Sequence, residues 1–191
     1  YDQETGLGLV QAMGRLDIKP LEIGSSSSLY EGEPVVFAGS GGRENSMTAE
    51  IVSIREFAGY WEYVLDKAIF INPAHPNWGG GAMIGMDGTL RGIGSLFVQQ
   101  AQGDETPMNG NMVVPIDLLA PIMDDLLMYG KPNRPTRPWL GILTAEVNQH
   151  LMIGGLANGG PAQKAGIEAG DLILEIAGRP VNELVEMYRY I

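Results

Sequence analysis

Residues 75–96, HPNWGGGAMIGMDGTLRGIGSL, contain two of the kinds of group that hydrolytic sites use. His75 supplies an imidazole, and the glycines at 79–81 leave backbone N–H groups open to a developing oxyanion. Such chemistry also needs a hydroxyl or thiol that the imidazole activates. The sequence has no Ser, Thr or Cys between Ser53 and Thr89. The glycine run at 79–81 therefore has the donors of such a site but no nucleophile beside them.

The composition excludes several classes of function. The 191 residues are 45% apolar and 18% charged, which is typical of a globular chain with one domain or two small ones. The net charge of −11 argues against nucleic-acid partners and anionic membranes. With no cysteine and two histidines, the sequence predicts no metal site and no cofactor. No apolar run approaches the roughly 20 residues of a membrane span, so no membrane insertion is predicted in this segment.

The first two-thirds of the sequence are short apolar runs bounded by Gly, Pro, Asn or Asp, which is typical of an antiparallel barrel or sandwich. The runs are GLGLVQA, EPVVFAGSG, MTAEIVSIREF, YWEYVLDKAIFI, GAMIGM, TLRGIGSLFVQ and NMVVP. They predict six or seven antiparallel strands. The D-G pair of MDGT at 86–89 predicts the hairpin turn between GAMI and TLRGIGSL.

After residue 115 the apolar spacing changes to three and four, which predicts an amphipathic helix. Asp117 is expected to cap its start and Gly130 to end it, with Pro121 near the first turn. Three prolines in KPNRPTRP predict a stiff linker over 131–138. Beyond it we expect a strand, a short helix opened by Pro161, a second strand and a last helix. These elements predict a small domain over 139–191, cut short at its C-terminal end.

In their order, these segments resemble the HtrA/Deg family of trypsin-like serine proteases. WLGI at 139–142 and GGPAQKAGIEAGDLILEIAGRPV at 159–181 are similar to the family's PDZ domain. LYEGEPVVFAGSGG, GGGAMIGMDGTLRGI and GDETPMNGNMVVPIDLLAPIMDDLLMYG are similar to its second barrel. The resemblance implies a mainly β fold: a chymotrypsin-type antiparallel β-barrel, second barrel only, with a closing helix over 1–130, followed by an α+β PDZ-like domain.

The resemblance also implies where the catalytic groups of the family would lie. The family's G-N-S-G-G-P corresponds to residues 77–82, so Gly79 takes the place of the nucleophilic serine, and Asn77, Trp78 and Gly79 form a vestigial oxyanion loop. The family's D-L-A-L corresponds to residues 6–9, so Gly6 replaces the aspartate that orients the catalytic histidine. That histidine belongs to a first barrel upstream. Loss of one member of such a unit costs roughly 10⁴ to 10⁶ in rate, so the resemblance implies a pseudoprotease.

Plainer interpretations of the same loop remain open. The glycines at 79–81 are also typical of a tight turn that needs positive φ. His75 is interpreted as a loop histidine, because no nucleophile or orienting acid is identified beside it. The segment from Asp66 to Gly79 is longer than the family's usual spacing. This length predicts a remodelled specificity pocket, with Trp78 as the side chain to fill it.

The PDZ-like segment carries a binding prediction. The resemblance implies that Trp139, Leu140, Gly141 and Ile142 form the loop whose N–H groups receive a peptide's terminal carboxylate, with the peptide added to the edge of the following strand. The helix from about Glu183 would form the other wall. The alternative is that WLGI is only the first core strand after the linker.

Three classes of function follow. The first is a catalytically degenerate HtrA/Deg-like protein that binds peptide C-termini or unfolded protein segments and scaffolds or regulates an active protease partner. The second is an active serine endopeptidase of the family with its remaining catalytic residues outside this sequence, which predicts labelling by a fluorophosphonate. The third is a structural module whose barrel forms a homo-oligomer. The missing serine favours the first class, and the resemblance implies a periplasmic or cell-envelope location.

Overall fold

The structure is a computed structural model that describes residues 1–59, 64–103 and 107–191. It contains two compact units, one of residues Tyr1–Phe57 and Leu65–Asn133 and one built on Arg134–Ile191. The division lies inside the proline-rich segment 131–138. Within the described ranges, no helix is long and apolar enough to cross a bilayer.

The first unit is a closed six-stranded barrel in which all neighbouring strands are antiparallel. Around the barrel the strands follow the order β1-β2-β3-β6-β5-β4. The strands are β1 (Pro34–Ala38), β2 (Ser46–Phe57), β3 (Leu65–Asn72), β4 (Ala82–Gly85), β5 (Leu90–Val98) and β6 (Gly110–Pro115). The β4–β5 hairpin turns at 86–89, with Gly88 at φ 81°. The predicted mainly β fold with an antiparallel barrel is confirmed.

Strand β3 contains an unbroken apolar run at residues 68–71 because both of its faces are buried. Ile69 and Ile71 belong to the cluster of buried side chains that also contains Phe37, whereas Ala68 and Phe70 belong to a second cluster. Because successive side chains of a strand point to opposite faces, β3 is buried on both. The second cluster includes side chains of the segment that follows the barrel, namely Ile122 and Leu126.

The first predicted strand, GLGLVQA, does not form. Only Leu7 of this run belongs to a buried cluster, and Val10 is fully exposed. The closed barrel provides the physical reason: each of its six strands already has two neighbours, so no edge is left for a seventh to pair with.

The closing helix is shorter than predicted. Two 3-10 turns, Ile116–Leu118 and Ala120–Ile122, precede α1 (Met123–Tyr129). Pro121 explains the break, because it has no N–H to donate and its ring clashes with the carbonyl four residues earlier. Asp117 does not cap the helix; its carboxylate accepts a hydrogen bond from the Ser25 hydroxyl at 2.9 Å. Gly130 does end the helix, at φ 71°.

The second unit has mixed α and β structure. Its three-stranded antiparallel sheet has the order β7-β8-β9, and a small hairpin joins β10 to β11. Leu151, Val181 and Met187 form its buried core. The elements are β7 (Ile142–Val147), β8 (His150–Leu156), α2 (Pro161–Lys164), β9 (Leu172–Ile173), β10 (Glu175–Ile176), β11 (Arg179–Pro180) and α3 (Leu184–Tyr190). The sequence interpretation missed β8 and treated β9 and β10 as one strand.

Candidate functional site: a glycine-rich loop and a peptide-binding groove

The glycine-rich loop joins β3 to β4 and is tied to β5 by backbone hydrogen bonds. Gly80 N–H donates to the Gly94 carbonyl at 2.9 Å, and Gly94 N–H donates to Gly81 at 2.7 Å. A Cβ on Gly94 would lie 2.3 Å from the Trp78 carbonyl oxygen, so this close approach requires glycine. Gly80 has φ 74°, which supports the tight-turn interpretation for that residue.

Gly79, the position that corresponds to the nucleophile, is free of both constraints. A Cβ built there meets no atom within 4 Å, and its φ lies outside the left-handed region. Its backbone and surroundings would therefore accept a serine. The fold of the loop does not dictate the absence of a hydroxyl at this position.

His75 is a buried part of the loop, 4% exposed, and its ring lies against Phe37 with the centroids 5.3 Å apart. Its Nδ1 accepts a hydrogen bond from Asn77 N–H at 3.0 Å, and its Nε2 lies 2.9 Å from the Asn45 carbonyl oxygen. Its backbone N–H donates to Asn111 Oδ1 at 2.6 Å. Within the described part of the chain, none of these partners is a carboxylate. The arrangement holds the loop in place and does not resemble an acid-oriented catalytic base.

In the loop that the resemblance implies to be a vestigial oxyanion loop, the Asn77 N–H is already bonded to His75. Trp78 is half-buried and packs against the cluster inside the barrel. Its carbonyl accepts from Gly81 N–H at 3.0 Å. A substrate oxygen would have to compete with the His75 imidazole for the Asn77 N–H.

Gly6, the position that corresponds to the orienting aspartate, lies in an N-terminal turn. Its N–H donates to the Asp2 carbonyl at 3.0 Å, and its φ of 73° is one that glycine adopts without strain. The buried Asp2 carboxylate accepts from the Thr5 hydroxyl at 2.8 Å. The Asp2 carboxylate therefore serves the turn.

In the second unit, the WLGI loop points N–H groups away from its own sheet. The Leu140 carbonyl accepts from Ala162 N–H at 3.1 Å, and the Gly141 carbonyl accepts from Ala157 N–H at 2.8 Å. A trans peptide points its N–H opposite to its C=O. The N–H groups of Gly141 and Ile142 are thereby directed away from α2 and β8. Gly141 is buried with φ 72°, Ile142 is half-buried, and Trp139 is 65% exposed.

Strand β7 and helix α3 lie beside each other next to this loop. Strand β7 is at the edge of its sheet and pairs with β8 alone among the described strands. Both elements place partly buried apolar side chains on the core of the unit: Ile142 from β7, and Leu184 and Tyr188 from α3. At the far end, Glu146 Oε1 accepts from Leu184 N–H at 2.7 Å. The helix predicted from about Glu183 is present as α3.

Comparisons with known proteins fit this geometry. A family model described as "PDZ domain" matches residues 152–191. The chain is 31% identical over 183 residues to a "Probable periplasmic serine endoprotease DegP-like" of Hahella chejuensis, covering 87% of the chain and 37% of that protein. It is 28% identical over 195 residues to "Serine protease PepD" of Mycobacterium tuberculosis, covering 95% and 41%. The chain thus spans well under half the length of these relatives.

Solved structures show the same fold. A structure of the HtrA-type protease AlgW with a decapeptide has a TM-score of 0.55 at 18% identity, covering 93% of this chain and 57% of that one. A variant of the same protease with a tripeptide has a TM-score of 0.58, covering 98% and 65%. The chain is an HtrA family member. The predicted family, the mainly β fold and the PDZ domain are confirmed for this HtrA-like chain.

The sequence did not predict the residues that hold the loop and α3. Asn45 and Asn111 form hydrogen bonds with His75 across 30 and 36 residues, and no spacing signal connects residues so far apart. Glu146 lies in the strand predicted after the linker, and that prediction gave it no role. The alternation along β7, which places Glu146 on the same face as Thr144, is the signal that would have found it.

Proposed function

We propose that this HtrA-like chain captures the C-termini of peptides or unfolded protein segments in the groove between β7 and α3, and does not hydrolyse them. The observation that carries the proposal is the anchoring of the Leu140 and Gly141 carbonyls, which directs the following N–H groups outward. The proposed binding residues are Trp139, Leu140, Gly141 and Ile142. Their N–H groups receive the terminal carboxylate.

The groove supports an extended ligand. Backbone groups on the outer edge of β7 accept a peptide as an added strand, which supplies hydrogen bonds without regard to sequence. Side chains that point toward α3 would meet Ile142 and Leu184, so apolar C-terminal residues are favoured. Hydrogen bonds from N–H groups to a carboxylate are each worth about 1.5–3 kcal/mol, which compensates for the overall negative charge of the chain.

The absence of hydrolysis rests on the glycine-rich loop. Gly79 has no attacking oxygen, Gly6 has no carboxylate, and the Asn77 N–H is bonded to His75. The alternative is an active endopeptidase, which is how the relatives are named. It requires catalytic groups outside this sequence, and a fluorophosphonate that labels the longer protein would favour it. Periplasmic localisation, a protease partner and a homo-oligomer are part of the proposal by family resemblance.

Fluorescence polarisation of the 191-residue chain tests the proposal with a labelled peptide that ends in apolar residues. The free-acid peptide is expected to bind about 10- to 100-fold more tightly than the same peptide with a C-terminal amide, because amidation removes the charged acceptor. Gly141→Ala is expected to weaken binding, since its Cβ strains the left-handed loop 3.2 Å from Pro161.

Gly178→Ala is the matched control. Its φ of 76° imposes the same strain in the β10–β11 turn, where an added Cβ meets nothing within 4 Å. Equal affinity for the acid and amide peptides would refute carboxylate capture. An equal loss of peptide affinity in the two glycine variants would show that backbone strain destabilises the domain. The loss would then not reflect a contact between the Gly141 loop and the peptide.

A further inference from the structure

We propose that the protonation state of the His75 imidazole controls the conformation of the glycine-rich loop. The neutral ring holds the loop in the conformation in which the Asn77 N–H donates to His75, and protonation releases that N–H and the residues beside it. This inference concerns the barrel unit and is independent of peptide capture. It rests on the two ring nitrogens, on the burial of the ring and on the way its backbone is held.

The hydrogen bonds define the protonation state of the ring. Asn77 N–H can only donate, so His75 Nδ1, 3.0 Å away, must be the unprotonated nitrogen. The proton of the neutral ring is then on Nε2, where it is donated to the Asn45 carbonyl at 2.9 Å. Both nitrogens are thus used by one tautomer of the neutral imidazole.

A second proton breaks this arrangement. It would have to be placed on Nδ1, where it would face the Asn77 N–H, and two donors cannot share a hydrogen bond. The ring is 4% exposed and lies against Phe37, so a charge there loses most of its hydration. The positively charged ring therefore favours a conformation in which it leaves this position.

The surrounding elements provide no compensating carboxylate. Strand β1, strand β6 and the rest of the loop at 73–81 contain no other titratable side chain. The 3-10 helix Gly42–Asn45, which supplies the Asn45 carbonyl, has Arg43 and Glu44, and both are exposed. Within the described part of the chain, the hydrogen bonds and the ring contact of His75 are therefore with apolar and amide groups.

The backbone contacts confine the change to a few residues. The His75 N–H remains bonded to Asn111, and Gly80 remains bonded to Gly94 at the other end of the loop. The segment between these anchors contains Asn77, whose N–H loses its acceptor, and Gly79, whose surroundings are open. Acid therefore frees the donor that the neutral ring occupies, without opening the barrel.

Amide NMR of the 191-residue chain, recorded as the pH is lowered from 8, tests the proposal. The Asn77 and Gly79 cross-peaks are expected to move together while those of β3 stay fixed. The protection of the Asn77 amide from exchange is expected to fall by about tenfold, as the loss of one hydrogen bond implies. Ring ¹⁵N shifts at pH 8 are expected to show the proton on Nε2.

The chain has two histidines, which supplies the control. His75→Asn keeps an acceptor near the Nδ1 position but does not titrate, so the cross-peak movement is expected to vanish. His150→Asn removes the exposed imidazole of the second unit and is expected to leave it unchanged. Movement that persists in His75→Asn overturns the proposal. Should that variant not fold, a wild-type ring with its proton on Nδ1 at pH 8 overturns it equally.

Discussion

Gly79→Ser separates the shape of the loop from its chemistry. The variant places a hydroxyl where the family has its nucleophile. Because an added Cβ meets no atom within 4 Å and φ is not left-handed, the substitution is expected to change the free energy of unfolding by no more than about 0.5 kcal/mol. Replacing glycine reduces the entropy of the unfolded chain, so the direction is toward slightly higher stability.

The new hydroxyl is nevertheless expected to remain inert. His75 is the one imidazole in the barrel unit, and both of its nitrogens are already bonded. Gly6 provides no carboxylate to orient a base, and the Asn77 N–H is occupied. Since a triad that lacks a member loses roughly 10⁴-fold or more in rate, peptide-bond turnover is expected to stay at the level of the unchanged protein.

The assay combines urea unfolding with fluorophosphonate labelling and turnover of a casein substrate by the 191-residue chain. An unchanged unfolding midpoint with neither labelling nor turnover agrees with the account. Labelling of the new serine, or turnover that the unchanged protein lacks, would refute the reasoning that His75 and Asn77 are unavailable. A large loss of stability would refute the reasoning about the open space at Gly79.

Two further substitutions test the packing and electrostatics of the barrel. Gly94→Ala is expected to lower the free energy of unfolding by about 2–3 kcal/mol, because its Cβ lies 2.3 Å from the Trp78 backbone oxygen, whereas Gly14→Ala, with nothing within 4 Å, has no such effect in the same urea experiment. The pKa of Asp87 is held below 3.8 chiefly by the hydrogen bond that its carboxylate accepts from the backbone N–H of Thr89. A depressed pKa stabilises the fold above the ordinary value, so Asp87→Asn is expected to lower the urea midpoint at pH 7, by an amount that shrinks as the pH falls below 3.8; an undiminished difference at pH 3 would contradict this.

The parts of the fold that follow from local pattern were predictable. The barrel strands are bounded by turn residues and the β4–β5 hairpin has its D-G pair, so alternation and turn chemistry were sufficient. Strand β8 was missed because its hairpin turns at Asn148 and Gln149, both at positive φ, without the glycine that usually marks such a turn. The closing helix is shorter than its periodicity predicts because Pro121 interrupts the helical hydrogen bonds.

The candidate sites were only partly predictable. The family resemblance brought attention to Gly79 and to the WLGI loop. It gave no indication that His75 would be buried and would occupy the Asn77 N–H, because the partners that hold the ring are distant in sequence. Nor did it indicate that the space around Gly79 is open and that the backbone there does not need glycine.

The central claim is that the chain holds a peptide by its terminal carboxylate and leaves it uncut. The most direct measurement is a polarisation titration with the free-acid and amidated forms of one apolar peptide, followed by mass analysis of the peptide after prolonged incubation. The account predicts that the free acid binds at least about tenfold more tightly and that its mass is unchanged. Equal binding of the two forms, or a shortened peptide, would contradict it.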